Sequence, residues 1–208
     1  MAMFRDIAHE LKHHTPFTFI GVVTGAALML VFVYAPLPRR LSYNLFWSLH
    51  PLHVLLSAVA TTAMYRKHGG RNLLATLLIG YLGSVGIATV SDSLIPYVGE
   101  VLLKLPEKDV HVGFIEKWWL VNPLALAGIG IAMLRPNTEV PHTGHVLLST
   151  WASLFHMVMA MQHGQPPDVV TLVLVPVFLF VAVWVPCCTS DIVFPLLFAR
   201  QKPPHPDH

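Results

Sequence analysis

The stretch LSYNLFWSLHPLHVLLSAVATTAMY, residues 41–65, contains no Asp, Glu, Lys or Arg. Five further stretches lack these four residue types, at residues 15–38, 72–91, 118–134, 140–167 and 169–190. A helix needs about 20 mostly apolar residues to cross a bilayer, and about 17 is the lower limit. The six stretches therefore predict an all-α integral membrane protein, a bundle of about six transmembrane helices.

The overall composition also favours this class. Only 12% of the 208 residues are charged and 54% are hydrophobic, whereas about 25% of an ordinary soluble domain is charged. The first apolar stretch is longer than the h-region of a signal peptide, and no small-x-small cleavage site follows it, so we count it as a span. The thirteen basic residues are spread over the loops, which argues against nucleic-acid binding and leaves the lipid bilayer as the main partner.

The spans are expected to form a single domain with short extensions at both ends. We place them at about residues 17–36, 45–65, 73–96, 118–134, 143–163 and 169–184. An amphipathic lead-in, residues 1–14, precedes them. We expect the last span to break near Pro186, because proline interrupts a helix, and a short apolar half-segment to follow at 191–199. Residues 200–208 are predicted to be a disordered tail.

The distribution of Lys and Arg predicts the orientation, since these residues are more frequent in cytoplasmic loops. With six spans, both termini share one side of the membrane with the loops around residues 66–71 and 135–142. That side carries eight of the thirteen basic residues, namely Arg5, Lys12, Arg66, Lys67, Arg71, Arg135, Arg200 and Lys202. The bias favours a multi-pass inner-membrane protein with both termini in the cytoplasm.

Four ionisable side chains on three spans are expected at a similar depth near the outer face. They are His50 and His53 on the second span, Asp92 on the third and His156 on the fifth. His50 and His53 are three residues apart, so they point to one side of a helix. Ionisable residues inside a membrane are costly and usually functional. Because a nitrogen and oxygen ligand set suits Zn, Fe, Mn, Co or Ni, we predict that these four bind a divalent transition-metal ion.

A second polar layer is predicted near the cytoplasmic face. Its members are His13, His14, His145, Cys187, Cys188 and Asp191. Polar residues at helical spacings of three and four connect the two layers; these pathway residues are Ser57 and Thr61 on the second span and Ser149 and Ser153 on the fifth. Glu100 and Glu116, at or above the outer boundary, complete the predicted pathway. On the third span, Tyr81 and Asp92 are expected to share a face.

These residues also have purely structural explanations. A buried neutral histidine can hydrogen-bond across helices. Asp92 can lie at the end of its span, before Pro96, and Asp191 can cap the terminal segment. Cys187 and Cys188 are adjacent, so they make no long-range disulfide framework, and both can pack as small apolar residues.

The preferred functional prediction is a membrane permease for a divalent transition-metal cation. Ligands near both faces, joined by polar stripes, suit the stepwise passage of an ion. Proton coupling is natural for such a carrier, because metal binding displaces protons from its ligands. Transport is therefore favoured over an enzymatic activity, and six short spans also leave room for a homo-oligomer.

Two alternatives stay open. A membrane-embedded metal-dependent hydrolase would use His50, His53 and either Asp92 or His156 as ligands, with an open position for water. The chain contains neither HExxH nor Gly-x-Ser-x-Gly. A haem-b electron-transfer protein would use His53 and His156 as paired axial ligands, and it would leave Asp92 without a role.

Overall fold

The computed structural model describes the backbone of residues 2–35, 37–135, 139–162, 167–189 and 193–199, and their side chains except those of 2–14, 139–143 and 188. Within these residues, all regular secondary structure is helical. The helices are α1 (Ala2–Tyr34), α2 (Arg39–Lys67), α3 (Leu73–Leu102), α4 (Gly113–Glu116), α5 (Trp118–Leu134), α6 (Glu139–Met161), α7 (Val169–Cys188) and α8 (Phe194–Phe198). The prediction of an all-α protein is confirmed.

Five of these helices contain segments long and apolar enough to span a membrane. The segments are Thr15–Tyr34 of α1, Arg39–Lys67 of α2, Leu73–Leu102 of α3, Gly144–Met161 of α6 and Val169–Cys187 of α7. Helix α5 is apolar as well, but its 17 residues make it the shortest of the six. The length and composition of the helices are therefore consistent with a multi-pass membrane protein.

The bundle exposes large apolar side chains and buries several ionisable ones, which is unusual for a water-soluble protein. Val173, Val177 and Val181 form an exposed apolar row along α7, whereas His50 and Asp92 have no exposed surface. Exposing a large apolar face to water costs about 25 cal/mol per Å², while lipid tails impose no such cost. This arrangement is what a bilayer favours.

Helices α2 and α6 form the central pair of the bundle. Helix α2 packs most extensively against α6 and α5, and α1 packs against α6 and α7. The approach of α5 to α2 depends on Gly128, since a Cβ at this position would lie 2.5 Å from the carbonyl oxygen of Leu55. The polar side chains of α2 and α6 are therefore enclosed by neighbouring helices.

Helix α3 is interrupted by two π-helical segments, Leu82–Gly86 and Val90–Leu94. A π segment widens one turn and changes which residues share a face, and such segments are frequent at functional sites. Tyr81 donates a hydrogen bond to Asn122 of α5 at 2.9 Å, whereas Asp92 faces α2 and α6. The prediction that Tyr81 and Asp92 share a face is therefore wrong, because it assumed a regular α-helix.

Two predicted helix boundaries differ in the structure. The expected lead-in is continuous with the first span, because α1 runs from Ala2 through Pro16 to Tyr34. Helix α7 continues through Pro186 and ends at Cys188, two residues beyond the predicted break, and α8 begins at Phe194. The missing N–H of Pro186 removes one backbone hydrogen bond of the helix, the one to the carbonyl of Ala182. Residues 190–192, which include Asp191, and the tail 200–208 lie outside the described residues.

Candidate metal site

Asp92 lies in the interior of the bundle with its carboxylate fully engaged. Its Oδ2 is 2.9 Å from Nδ1 of His50 and 2.7 Å from Nδ1 of His53. Its Oδ1 accepts hydrogen bonds from Ser91 and Ser149, both at 2.8 Å. A carboxylate offers about four lone-pair sites and only accepts hydrogen bonds. In the neutral tautomer that donates Nδ1–H to Asp92, each imidazole keeps its Nε2 lone pair for another partner.

Three buried side chains from different helices converge beside this carboxylate. They are His53 of α2, His145 of α6 and Cys187 of α7, and one ligand atom from each lies within 4.8 Å of the other two. The two imidazoles are stacked, with ring centroids 5.7 Å apart and an interplanar angle of 16°. The Cys187 sulfur lies within 4.8 Å of a ring nitrogen of each histidine.

The spacing of this cluster suits a tetrahedral metal ion. With metal–nitrogen distances near 2.0 Å and a metal–sulfur distance near 2.3 Å, ligand atoms lie about 3.3–3.8 Å apart. Small side-chain movements therefore bring the three atoms, which lie within 4.8 Å of one another, to binding distance. A histidine ligand usually donates its other ring nitrogen to a carboxylate, which fixes the ring orientation, and Asp92 does this for His53.

The cluster lies at the midpoint of α2. His53 is the central residue of this 29-residue helix, which runs from Arg39 to Lys67. At 1.5 Å per residue it is about 21 Å from either end. The sequence predicts His53 in the outer third of its span, because the predicted span, residues 45–65, begins six residues after the first residue of α2.

A second group of ionisable side chains lies nearer the Arg39 end of α2. Nδ1 of His156 is 2.8 Å from Oε1 of Glu100, and both residues are buried. The second oxygen of Glu100 accepts from the backbone N–H of Asp109 at 3.3 Å. Nε2 of His156 faces the hydroxyl of Ser93 at 3.4 Å. The Glu100 carboxylate thus binds its histidine much as Asp92 binds His53.

His111, in the loop after α3, packs against this second group. Its Nδ1 is 3.2 Å from Oε2 of Glu116, and its ring centroid is 5.3 Å from that of His156. Burial lowers the pKa of His111, and the nearby His156 lowers it further, while Glu116 opposes both effects. A void of about 10 Å³, the size of one water molecule, lies beside His111, His156 and Glu100. Arg39 pairs with Glu107 at the rim of this void.

Phe46 lies between the two groups. Its ring stacks on His50, with centroids 5.5 Å apart and an angle of 12°, and contacts His156 edge-on at 5.4 Å. Nε2 of His50 is buried and has no hydrogen-bond partner among the described residues. A Cβ at position 113 would collide with this nitrogen, so Gly113 allows the loop to close over His50.

The predicted ligands are only partly brought together. His50, His53 and Asp92 are in direct contact, whereas His156 lies with Glu100, and its binding of the same ion stays a prediction. His145 and Cys187, expected in a separate layer, contact His53. The remaining members of that layer, namely the side chains of His13, His14, Cys188 and Asp191, lie outside the described residues.

The predicted pathway residues are mostly buried. Ser57, Thr61, Ser149, Ser153 and Glu100 have 1% exposure or less, while the Glu116 side chain is 37% exposed.

Sequence reasoning missed Ser91 and Ser93. The Ser91 hydroxyl donates a hydrogen bond to Asp92, and the Ser93 hydroxyl accepts one from the backbone N–H of His111. The Ser-Asp-Ser tripeptide within an apolar span was the signal that could have identified them.

Comparisons with protein-family models, curated proteins and solved structures gave no match, so function has to be inferred from the chemistry of these side chains.

Proposed function

We propose that the protein is a membrane permease for a divalent transition-metal cation, with His53, His145 and Cys187 as ion ligands. The main support is the convergence of three buried ligand atoms within 4.8 Å of one another. They come from three helices whose length and composition suit membrane spans. Transporters typically hold their ion near the bilayer midplane at an interruption of helical structure. The central position of His53 in α2 and the π segment that carries Asp92 fit this description.

Polar side chains extend from the cluster toward both ends of the bundle. Toward the Arg39 end, Ser153 bonds the backbone of α3 at Ser91, and His156 and Glu100 follow. Toward the Lys67 end, Ser57 and Thr61 are buried one and two turns beyond His53. An ion that exchanges ligands stepwise needs such a series of oxygen and nitrogen atoms.

The conformation described is closed at the Arg39 end. Arg39 binds Glu107 and lies 3.7 Å from Asp109, and the void behind it holds about one water. Phe46, fully buried, packs against both His50 and His156, and His156 lines this void. Ion passage in a permease of this kind requires these contacts to open.

The hydrolase alternative would use the same three ligands with an activated water in the fourth position. Such an enzyme would retain its metal and cleave a lipid or peptide, whereas a permease would release the ion on the other side. Metal flux without added substrate therefore separates the two functions. A haem-b protein would instead show a Soret absorption band when expressed with haem.

The test is metal uptake by liposomes that contain the purified full-length protein and an internal zinc-sensitive dye. We expect Zn²⁺ influx with the wild-type protein and none with His53→Ala or His145→Ala. His68→Ala is the matched control, since His68 lies at the end of α2 and its ring faces the Met64 carbonyl at 3.0 Å. Equal flux in the wild-type and the His53→Ala protein, or zinc bound with no flux, would refute the permease proposal.

A further inference from the structure

We infer that the transported ion is a thiophilic divalent cation of the zinc class, held by two imidazole nitrogens and the Cys187 thiolate. This inference rests on the proposed function, and it replaces a ligand set of nitrogen and oxygen by one of nitrogen and sulfur. The three ligand atoms are those of His53, His145 and Cys187. All three residues are buried, with 2% exposure or less.

The nearest carboxylate is not free to act as a ligand. Both oxygens of Asp92 are occupied, Oδ2 by His50 and His53 and Oδ1 by Ser91 and Ser149. These four hydrogen bonds use the acceptor capacity of a carboxylate. Asp92 therefore positions His53 instead of binding the ion, and the cluster offers no hard oxygen ligand from this residue.

The donor atoms determine which cations fit. Thiolate and imidazole ligands suit Zn²⁺ and related thiophilic ions, whereas Mn²⁺ and Mg²⁺ prefer carboxylate, carbonyl and water oxygens. A metal-bound cysteine has lost its proton. We therefore expect the site to bind Zn²⁺, Cd²⁺ and Co²⁺ and to discriminate against Mn²⁺, which the nitrogen and oxygen set would have accepted.

The charges of the cluster match a divalent ion. The metal-bound Cys187 thiolate contributes one negative charge and the Asp92 carboxylate a second, while metal-bound imidazoles are neutral. Uncompensated charge is costly in a buried site, so an ion of charge two leaves this cluster neutral. Three ligands also leave the fourth position of a tetrahedral ion open, which permits the ligand exchange that passage requires.

The first test uses Co²⁺ as a spectroscopic probe with the purified full-length protein in detergent. A thiolate ligand gives Co²⁺ a charge-transfer band in the near ultraviolet, and imidazole and carboxylate ligands do not. We expect this band in the wild-type protein and its loss in Cys187→Ser. Cys188→Ser is the matched control, because it removes the only other thiol of the chain and should keep the band. A wild-type protein that binds Co²⁺ without the band, or a band that depends on Cys188, would overturn the inference.

The second test compares metals by competition, and its main arm uses the wild-type protein, so that arm does not depend on the folding of a variant. In competition experiments, Zn²⁺ should displace Co²⁺, and a hundredfold excess of Mn²⁺ should not. Cys187→Ser should lower the Zn²⁺ affinity about 100-fold or more, since even groups behind the ligands contribute 10–100-fold. Mn²⁺ competing as well as Zn²⁺ would refute the assignment. Zinc bound through Cys187 without liposome flux would refute the permease proposal and leave the ligand assignment standing. Flux that does not discriminate Zn²⁺ from Mn²⁺ would refute the ligand assignment and leave the permease proposal standing.

Discussion

Two buried histidine–carboxylate pairs lie at different depths in this bundle, and their remaining donor atoms distinguish them. Asp92 binds His53 at 2.7 Å, and Glu100 binds His156 at 2.8 Å. Around His53, a second imidazole and a thiol bring further ligand atoms within 4.8 Å. Around His156, the remaining nitrogen faces the Ser93 hydroxyl, and the His111 ring nearby does not complete a second three-ligand cluster within the described residues. A buried histidine–carboxylate pair therefore does not by itself make a metal site, since convergence of further ligands is also needed.

The surroundings of the two pairs point to different roles. His53 is central in α2, whereas Glu100 is two residues from the end of α3 and bonds the loop at Asp109. Arg39 and Glu107 lie beside the Glu100 pair. The pair at His53 fits ion binding, and the pair at Glu100 fits a closing contact between helices and loop.

The largest expected difference in Zn²⁺ affinity is between variants of two histidines of α6, one from each group. Removing His145 deletes a ligand, so His145→Ala should lower the Zn²⁺ affinity of the purified protein about 100-fold or more. His156→Ala should change it less than about twofold, because its ring bonds Glu100 and is not among the converging ligands. Titration with a competing zinc dye measures both. A similar loss in the two variants would mean that the groups act as one site.

The second comparison exchanges the two carboxylates for amides. Asp92→Asn has a single acceptor oxygen for His50 and His53, so the orientation of His53 is weakened, and we expect Zn²⁺ affinity to fall about 10–100-fold. Glu100→Gln should leave Zn²⁺ affinity unchanged and reduce thermal stability, because the buried hydrogen bond between this side chain and His156 is weakened. Dye titration and thermal unfolding of the same samples separate these effects. Unchanged zinc affinity in Asp92→Asn would remove Asp92 as a positioning residue.

A smaller effect is expected from Gly113→Ala. The new methyl group would press on Nε2 of His50, and His50 shares Oδ2 of Asp92 with His53. We expect a loss of Zn²⁺ affinity of about three- to fivefold, below the range for direct removal of a second-sphere group. Gly130→Ala is the matched control, since a Cβ there meets nothing within 4 Å. Equal affinities of the two variants would show that displacement of His50 does not reach the ligands.

The sequence predicted the part of the site that depends on spacing along one helix. His50 and His53, three residues apart in an uncharged segment, are in contact with one carboxylate, and depth counting chose Asp92 correctly as a neighbour. It could not show that hydrogen bonds exhaust the oxygens of Asp92, because Ser149 reaches them through the packing of α6 against α3 and Ser91 bonds them from the adjacent position in a π segment.

The sequence could not predict that Cys187 joins His53 and His145, and the reason is a different one. A proline normally ends a helix, so Cys187 was expected beyond a break and in another layer. Because α7 continues through Pro186, the cysteine stays on the helix and reaches His53 and His145. The π segments of α3 likewise alter the face of Asp92 in a way that the 3.6-residue period does not predict.

The smallest expected effect concerns the pH dependence of the end group. Burial and the nearby His156 lower the pKa of His111 below its ordinary value of 6.5. Between the lowered pKa of His111 in the folded protein and its ordinary value, the unfolded chain binds more protons than the folded one. The free energy of unfolding therefore rises with pH in this window and levels off above about 6.5. His111→Gln removes this contribution, so the variant should lose less stability than the wild type when the pH falls from about 7 to about 5. Glu116, Asp109 and His156, which face His111, are present in both proteins, and thermal unfolding across this range measures the difference. Parallel curves for the two proteins would show that His111 keeps its ordinary pKa, and its packing against His156 would then carry no electrostatic cost.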